Sequence, residues 1–202
     1  NCGTPIFWGG IELQRQQLQG QFQSLVEQTQ SPFVTSILAK SVLPESHEMF
    51  RGVYNGNATP EPVHDLFNHA GCRIALGVWN TSKNLGGTSS WTAHMVMANN
   101  DGVKVGYHLN SQGESVGNQY FPNVVLKDFI EKLSVKLIYQ TFTPYQTALP
   151  QLMKKVNVSN NTLSYDSFFS GINEYLREEH TVVVDAGFPL LGAQNLTINR
   201  ED

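Results

Sequence analysis

Charge is scarce in this chain. Asp, Glu, Lys and Arg make up 15% of its 202 residues, against about 25% in ordinary globular chains. The 13 basic residues are outnumbered by 17 acidic ones, a formal net charge of −4. So few cations form no basic stripe to displace counterions from phosphates, which argues against a nucleic-acid partner. Long apolar runs are missing too; none reaches the roughly 18–20 residues a membrane span needs. Cysteine is confined to Cys2 and Cys72, with no CxxC pair and no Cys/His spacing of a metal site. A core of this size needs no disulfide, so reduced thiols and a cytoplasmic protein are expected. An initiator Met and a signal peptide are absent, and the chain closes on Asn199-Arg200-Glu201-Asp202 after a loop-like stretch. A piece of a longer protein is the expectation.

What remains is 40% apolar, with 14 Gln and 17 Asn supplying much of the polar surface. Apolar runs and helical stripes alternate. Pro5 to Gly10 is a short apolar run ending in glycines, a buried strand. Leu18, Phe22, Leu25 and Val26 form a helical stripe that Ser31-Pro32 stops. Phe33 to Leu38 is a β-branched, apolar strand. Thr59-Pro60 predicts a helix start with Thr59 as N-cap, and Val63, Leu66, Phe67 and Ala70 share its face. Cys72 to Val78, His94 to Ala98 and Val103 to Leu109 predict three more strands, with a turn at Asn100-Asp101-Gly102. Leu126, Phe129, Ile130, Leu133 and Leu137 mark a further helix.

Strands alternating with helices predict a doubly wound, mainly parallel α/β sheet over residues 1–138. Periodicity stops over 139–162, which reads as a linker. A partial second α/β unit is expected over 163–202. Ser164 caps a helix whose single face carries Tyr165, Phe168, Phe169, Ile172, Tyr175 and Leu176, and Thr181 to Asp185 is a buried strand.

No complete site emerges from the pattern. The histidines at 47, 64, 69, 94, 108 and 180 have no metal-ligand spacing. Glu45-Ser46-His47-Glu48 sets two carboxylates around an imidazole, which suits acid–base work but suits a solvated loop better. There is no GxSxG, P-loop or GxGxxG, and Gly9-Gly10 is a weak phosphate cradle. Open parallel sheets bind ligands in loops at the carboxyl ends of their strands; here these are Gly9 to Glu12, Ala39 to Glu45, Asn80 to Ser90 and Ala186 to Gly192.

The order of certain segments is more specific. Pro5-Ile6-Phe7-Trp8-Gly9-Gly10 is followed by Arg15. Then come Ala39-Lys40-Ser41-Val42-Leu43-Pro44-Glu45-Ser46-His47, Gly52-Val53-Tyr54-Asn55-Gly56, and Leu76 to Gly86. In this order, residues 5–137 resemble the central domain of the thiamine-diphosphate (ThDP)-dependent 2-oxo-acid decarboxylases, the indolepyruvate, phenylpyruvate and pyruvate decarboxylases. Residues 163–193, with Val182-Val183-Val184-Asp185-Ala186-Gly187 and Leu190-Leu191-Gly192-Ala193, resemble the opening of the same family's pyrophosphate-binding domain.

The resemblance implies a Rossmann-like central domain belonging to a carbon–carbon lyase. In that family the ThDP ylid adds to the keto carbon, CO2 leaves, and protonation releases an aldehyde. It implies ThDP and Mg2+ in the full-length enzyme, a 2-oxo acid substrate, and a homo-oligomer, dimer or tetramer. It implies no cofactor for this chain alone, because the family's catalytic Glu, His-His pair and magnesium motif match nothing here. No catalytic residue and no metal ligand is therefore assigned. Ala186, Gly187 and Phe188 are the expected cofactor contacts, by backbone only, since Phe188 stands where the family has a hydroxyl or an acid. Lys83 and Asn84 are the expected substrate-facing residues; the family's Asp is replaced by Ser82, and Lys83 stands where an apolar side chain is usual. Two other readings stand beside this one. One is the central domain of another ThDP enzyme, binding FAD or ADP. The other is a stand-alone α/β ligand-binding module; its N-x-S/T sequons at Asn57, Asn80, Asn157, Asn160 and Asn195 would suit secretion.

Overall fold

A computed structural model of the chain describes residues 4–79, 81, 95–106, 119–137 and 163–198, and the backbone alone at 108–109 and 115–116. Seven strands form one sheet. Strand β1 (Ile6–Gly9) leads through two helices, α1 (Ile11–Arg15) and α2 (Gln19–Thr29), to β2 (Phe33–Thr35). Next are β3 (Phe50–Val53), α3 (Glu61–His69) and β4 (Arg73–Leu76). The strands β5 (Met95–Asn99) and β6 (Gly102–Val105) follow, and a two-stranded pair, β7 (His108–Leu109) and β8 (Ser115–Val116), stands apart. Strand β9 (Gln119–Phe121) and helix α4 (Leu126–Leu137) complete the domain. The sheet order is β3-β2-β1-β4-β5-β6-β9. The first five strands are parallel, and β6 and β9 are antiparallel. This is the expected doubly wound α/β architecture, with an antiparallel margin where the Asn100-Asp101 turn makes a tight hairpin.

Two cores sandwich the sheet. Phe7, Phe22, Phe33 and Phe50 form an aromatic chain on one face, with centroid spacings of 6.4, 5.5 and 5.4 Å. It lies under α2 and α4, whose Leu126 and Ile130 are fully buried. On the other face Trp8 packs against Tyr54 and Phe67 at 5.2 and 5.3 Å, under α3. Alternate residues of β1 serve opposite cores, as the two-residue period of a strand requires. Each aromatic contact adds about 0.5–1.5 kcal/mol beyond the area it buries.

Several elements differ from the sequence-based expectation. Strand β2 ends at Thr35, and Ile37–Ala39 forms a 3-10 turn. Thr59 does not cap α3: its hydroxyl accepts the Asn55 N–H at 2.7 Å, and Pro60 occupies the cap position. Strand β3 was not predicted, because Arg51 and Gly52 interrupt its apolar pattern. The Arg51 guanidinium is nevertheless buried, donating to the carbonyls of Glu48 and Phe50 at 2.7 and 2.9 Å. The expected linker, 139–162, lies outside the described residues.

In the tail, α5 (Tyr165–Tyr175) starts at Ser164 as expected, in a capping box with Ser167. Its apolar face is narrower than predicted. Phe169, Ile172 and Leu176 turn inward, whereas Tyr165, Phe168 and Tyr175 are exposed. Thr181 to Asp185 is not a buried strand: it has no ladder partner among the described residues, and Val183 is 92% exposed. Val182 and Val184 face Phe169, Ala193 and Leu196 in a small third cluster. Helix α6 (Phe188–Ala193) closes that cluster.

Candidate functional site

The natural ligand position of a doubly wound sheet is the crevice where strand order reverses, here between the carboxyl ends of β1 and β4. In this chain that crevice is closed by the protein itself. Gly10 lies so near the following loop that a Cβ there would stand 2.0 Å from the Gly77 carbonyl oxygen. The Gly10 N–H donates to Leu76 at 2.9 Å, and the Glu12 N–H donates to Gly77 at 3.1 Å. Above the contact, the Glu12 carboxylate accepts from Trp79 Nε1 at 2.9 Å and from the Asn100 N–H at 2.8 Å. The Arg15 guanidinium lies 4.4 Å from the Trp79 ring centroid. Glycine at 10 therefore permits the loops after β1 and β4 to touch, and glycine at 9 leaves room for the Phe22 ring, 3.1 Å from where its Cβ would stand. Glu12, the hub of this closure, had no sequence signal beyond being a lone acid after the glycines.

An open cleft of about 670 Å³ lies instead beside β2, between the central sheet and the tail. Gln14, Gln19 and Gln23 line one wall, Lys40 to Pro44 the floor, and His180 to Val182 with Val184 the tail side. At its base the Lys40 ammonium meets Glu45 Oε1 at 2.6 Å; their side chains are 17% and 1% exposed. Burial pulls the Lys40 pKa below that of an ordinary lysine, outweighing the opposing attraction of Glu45. The pair also reaches the tail. Lys40 Nζ donates to the Leu196 carbonyl at 2.6 Å, and Glu45 Oε2 accepts the Ile198 N–H at 2.8 Å. Gln194 Nε2 adds a bond to the Ala58 carbonyl at 3.0 Å. His47 does not sit between Glu45 and Glu48 as an acid–base group. Its Nε2 faces Glu27 at 3.6 Å, and its Nδ1 accepts the Met49 N–H at 3.1 Å.

The expected cofactor contacts Ala186, Gly187 and Phe188 form an exposed turn at the N-terminus of α6. Gly187 has φ +154°, a left-handed region open to glycine at little cost. Much of the turn is already engaged. Asp185 accepts the Ala186 N–H at 2.8 Å, the Gly187 carbonyl accepts from Leu190, and the Phe188 carbonyl accepts from the Tyr165 hydroxyl. The Phe188 ring is 79% exposed and offers no polar group. Among the described residues no group of acids, histidines or cysteines is placed to hold a metal ion. Lys83 and Asn84 lie outside the described residues.

The architecture is a doubly wound α/β sheet with a short second unit beside the carboxyl end of β2. The family model "Thiamine pyrophosphate enzyme, central domain" matches residues 3–129, and the chain belongs to that family. Among curated proteins it is 23% identical over 197 residues to a probable pyruvate decarboxylase of Schizosaccharomyces pombe, covering 96% of this chain and 33% of that protein. It is 25% identical over 196 residues to the pyruvate decarboxylase of Hanseniaspora uvarum, covering 94% and 32%. The chain thus spans about a third of the length of these relatives. Among solved structures it resembles benzoylformate decarboxylase from Polynucleobacter necessarius, with a TM-score of 0.61 at 16% identity over 98% of this chain and 36% of that one. No described helix is long and apolar enough to cross a membrane.

Proposed function

We propose that the chain is the central domain of a ThDP-dependent 2-oxo-acid decarboxylase, with the opening of its pyrophosphate-binding domain. On this reading residues 1–138 are the central domain, 139–162 the linker and 163–202 the beginning of the next domain. The observation that carries it is the collinearity with pyruvate decarboxylases across the sheet and the tail together. ThDP, when bound in the whole enzyme, supplies the electron sink for loss of CO2. This chain's own residues have other tasks. The central sheet spaces its neighbours, and the backbone of Ala186 and Gly187 faces one edge of the cofactor. Phe188 lends apolar surface beside it, and Lys83 and Asn84 approach the 2-oxo acid. Mg2+, a cytoplasmic setting and a dimeric or tetrameric assembly belong to the whole enzyme.

The closed crevice favours this reading over a central domain that binds FAD or ADP. A nucleotide at the switch point would have to part Gly10 from Gly77 and displace Trp79 from Glu12. The deciding experiment is to express the uninterrupted gene product, supply ThDP and Mg2+, and follow CO2 release from pyruvate, phenylpyruvate and benzoylformate. Decarboxylation of at least one supports the proposal; release from none, with ThDP demonstrably bound, refutes it.

A further inference from the structure

The backbone of Leu196 to Ile198 is held on both sides by side chains. On an extended chain the carbonyl of one residue and the N–H of the second residue after it point the same way, which is how a neighbouring strand reads them. Here the Leu196 carbonyl and the Ile198 N–H meet Lys40 and Glu45, while the Thr197 N–H, on the opposite side, donates to Asn173 Oδ1 at 2.7 Å. Lys40 and Glu45, bonded to each other at 2.6 Å, present one donor and one acceptor with the polarity of a strand neighbour. We propose that this ion pair is a docking clamp: the central domain uses Lys40 and Glu45 as positioning residues that fix the tail segment Leu196–Ile198 against the carboxyl end of β2.

Three observations favour a clamp over a pair serving the central domain alone. A buried ion pair is costly unless its remaining valences are satisfied, and outside the pair Nζ and Oε2 bond to tail backbone atoms, the Leu196 carbonyl and the Ile198 N–H. Both bonds are charge-assisted, the stronger class of hydrogen bond. Leu196 is also 2% exposed and packs with Phe169 and Ala193, so the clamp grips the tail at its small core. Helix α6 links this grip rigidly to the turn at Ala186–Phe188, because Gly192 sits against the Phe169 ring with no room for a Cβ. The pair therefore sets where that turn stands relative to the sheet. The consequence for a cofactor rests on the ThDP reading; the clamp does not.

The test exchanges the two residues. Lys40→Glu combined with Glu45→Lys keeps an ion pair at the same sites but sets acceptor against the Leu196 carbonyl and donor against the Ile198 N–H. Amide hydrogen exchange of the 202-residue chain is read site by site. Exchange at Leu196, Thr197 and Ile198, whose N–H groups are hydrogen-bonded, is expected to rise about tenfold or more, with Phe7, Val34 and Ala75 in the sheet unchanged. Ile198 exchange within about twofold of the parent chain overturns the clamp. If the exchange variant loses protection in the sheet itself, Ile198→Pro against Ile198→Val decides. Proline removes the N–H that Glu45 accepts, at a position outside the central domain, and valine controls for the trimmed side chain, which packs on the third cluster. Faster exchange at Leu196 and Thr197 in the proline variant alone supports the clamp, and equal rates in the two refute it. None of these readouts involves ThDP, so a failed clamp and a failed decarboxylase assignment are told apart.

Discussion

Gly10→Ala tests the closure of the switch-point crevice most directly. The backbone there is ordinary, with φ −116° and ψ 171°, so alanine meets no torsional strain. Considering the unfolded chain alone, the change would stabilise the protein by about 0.4–1 kcal/mol. Space decides otherwise. The new Cβ would lie 2.0 Å from the Gly77 oxygen, 2.2 Å from its carbonyl carbon and 2.3 Å from Val78 Cα. Carbon needs roughly 3.5 Å, so two backbone loops have to part by more than about 1 Å. Overpacking of this kind costs about 1–3 kcal/mol. Parting the loops also breaks the Gly10–Leu76 and Glu12–Gly77 hydrogen bonds at 2.9 and 3.1 Å. Lost inside the protein, those bonds cost about 1–3 kcal/mol each if no partner replaces them. The net expectation is a loss of about 3–5 kcal/mol, a large share of the roughly 5–15 kcal/mol that holds a domain folded. In urea, at a slope of about 2 kcal/mol/M, the midpoint falls by about 2 M. Gly20→Ala is the internal control. Gly20 lies in α2 with nothing within 4 Å of its would-be Cβ, so alanine there raises stability by up to about 1 kcal/mol. A fall of less than about 0.5 M for Gly10→Ala would mean that the loops are not in contact, and the crevice would be open to a nucleotide.

Three further outcomes follow from the same residues. On the proposed reading, in which the family's catalytic Glu, His-His pair and magnesium motif match nothing in this chain, its calorimetric titration with ThDP and Mg2+ gives no saturable heat; micromolar binding, or CO2 released by this chain from any 2-oxo acid, contradicts that. Lys40 is protonated less readily in the folded state than in the unfolded one. Between its lowered pKa and the ordinary value near 10.4, the unfolded chain therefore binds the extra proton, and this group makes unfolding free energy rise with pH. The rise is at most about 1.4 kcal/mol per pH unit and disappears in Lys40→Met with Glu45→Leu; equal alkaline slopes in urea melts of parent and variant would refute it. Ser164→Ala removes the capping acceptor of the Ser167 N–H at 3.1 Å and weakens α5 by about 1 kcal/mol. Amide exchange at Phe168 and Phe169 reports this, with β1 and β4 unaffected; a comparable loss in the sheet would show that tail and sheet unfold together.

The alternation of short apolar runs with 3.6-residue stripes was enough to read five of the sheet's seven strands. Strands β1, β2, β4, β5 and β6 and helices α2, α3, α4 and α5 are local patterns, visible because each must turn one face to a core. Strand β3 was hidden because Arg51 is buried by donating through Nη1 to backbone carbonyls, an arrangement that exists only after folding. Thr59 shows the same limit: a residue suited to capping found a nearer partner in Asn55. The Val182–Val184 run read as a buried strand because composition records apolarity and not whether a neighbouring strand is there to bury it. Family membership was legible in the order of Gly9-Gly10, Lys40 to His47, Gly52 to Gly56 and the segment after Leu76, since spacing over many residues is a property of sequence. What those residues do was not. That Gly10 touches Gly77, that Glu12 holds Trp79, and that Lys40 and Glu45 grip Leu196 and Ile198 are contacts between residues separated by 67, 67, 156 and 153 positions. Sequence determines local conformation through short-range sterics and periodic burial. The docking of the tail on the sheet depends on distances across the fold, and only tertiary structure sets those.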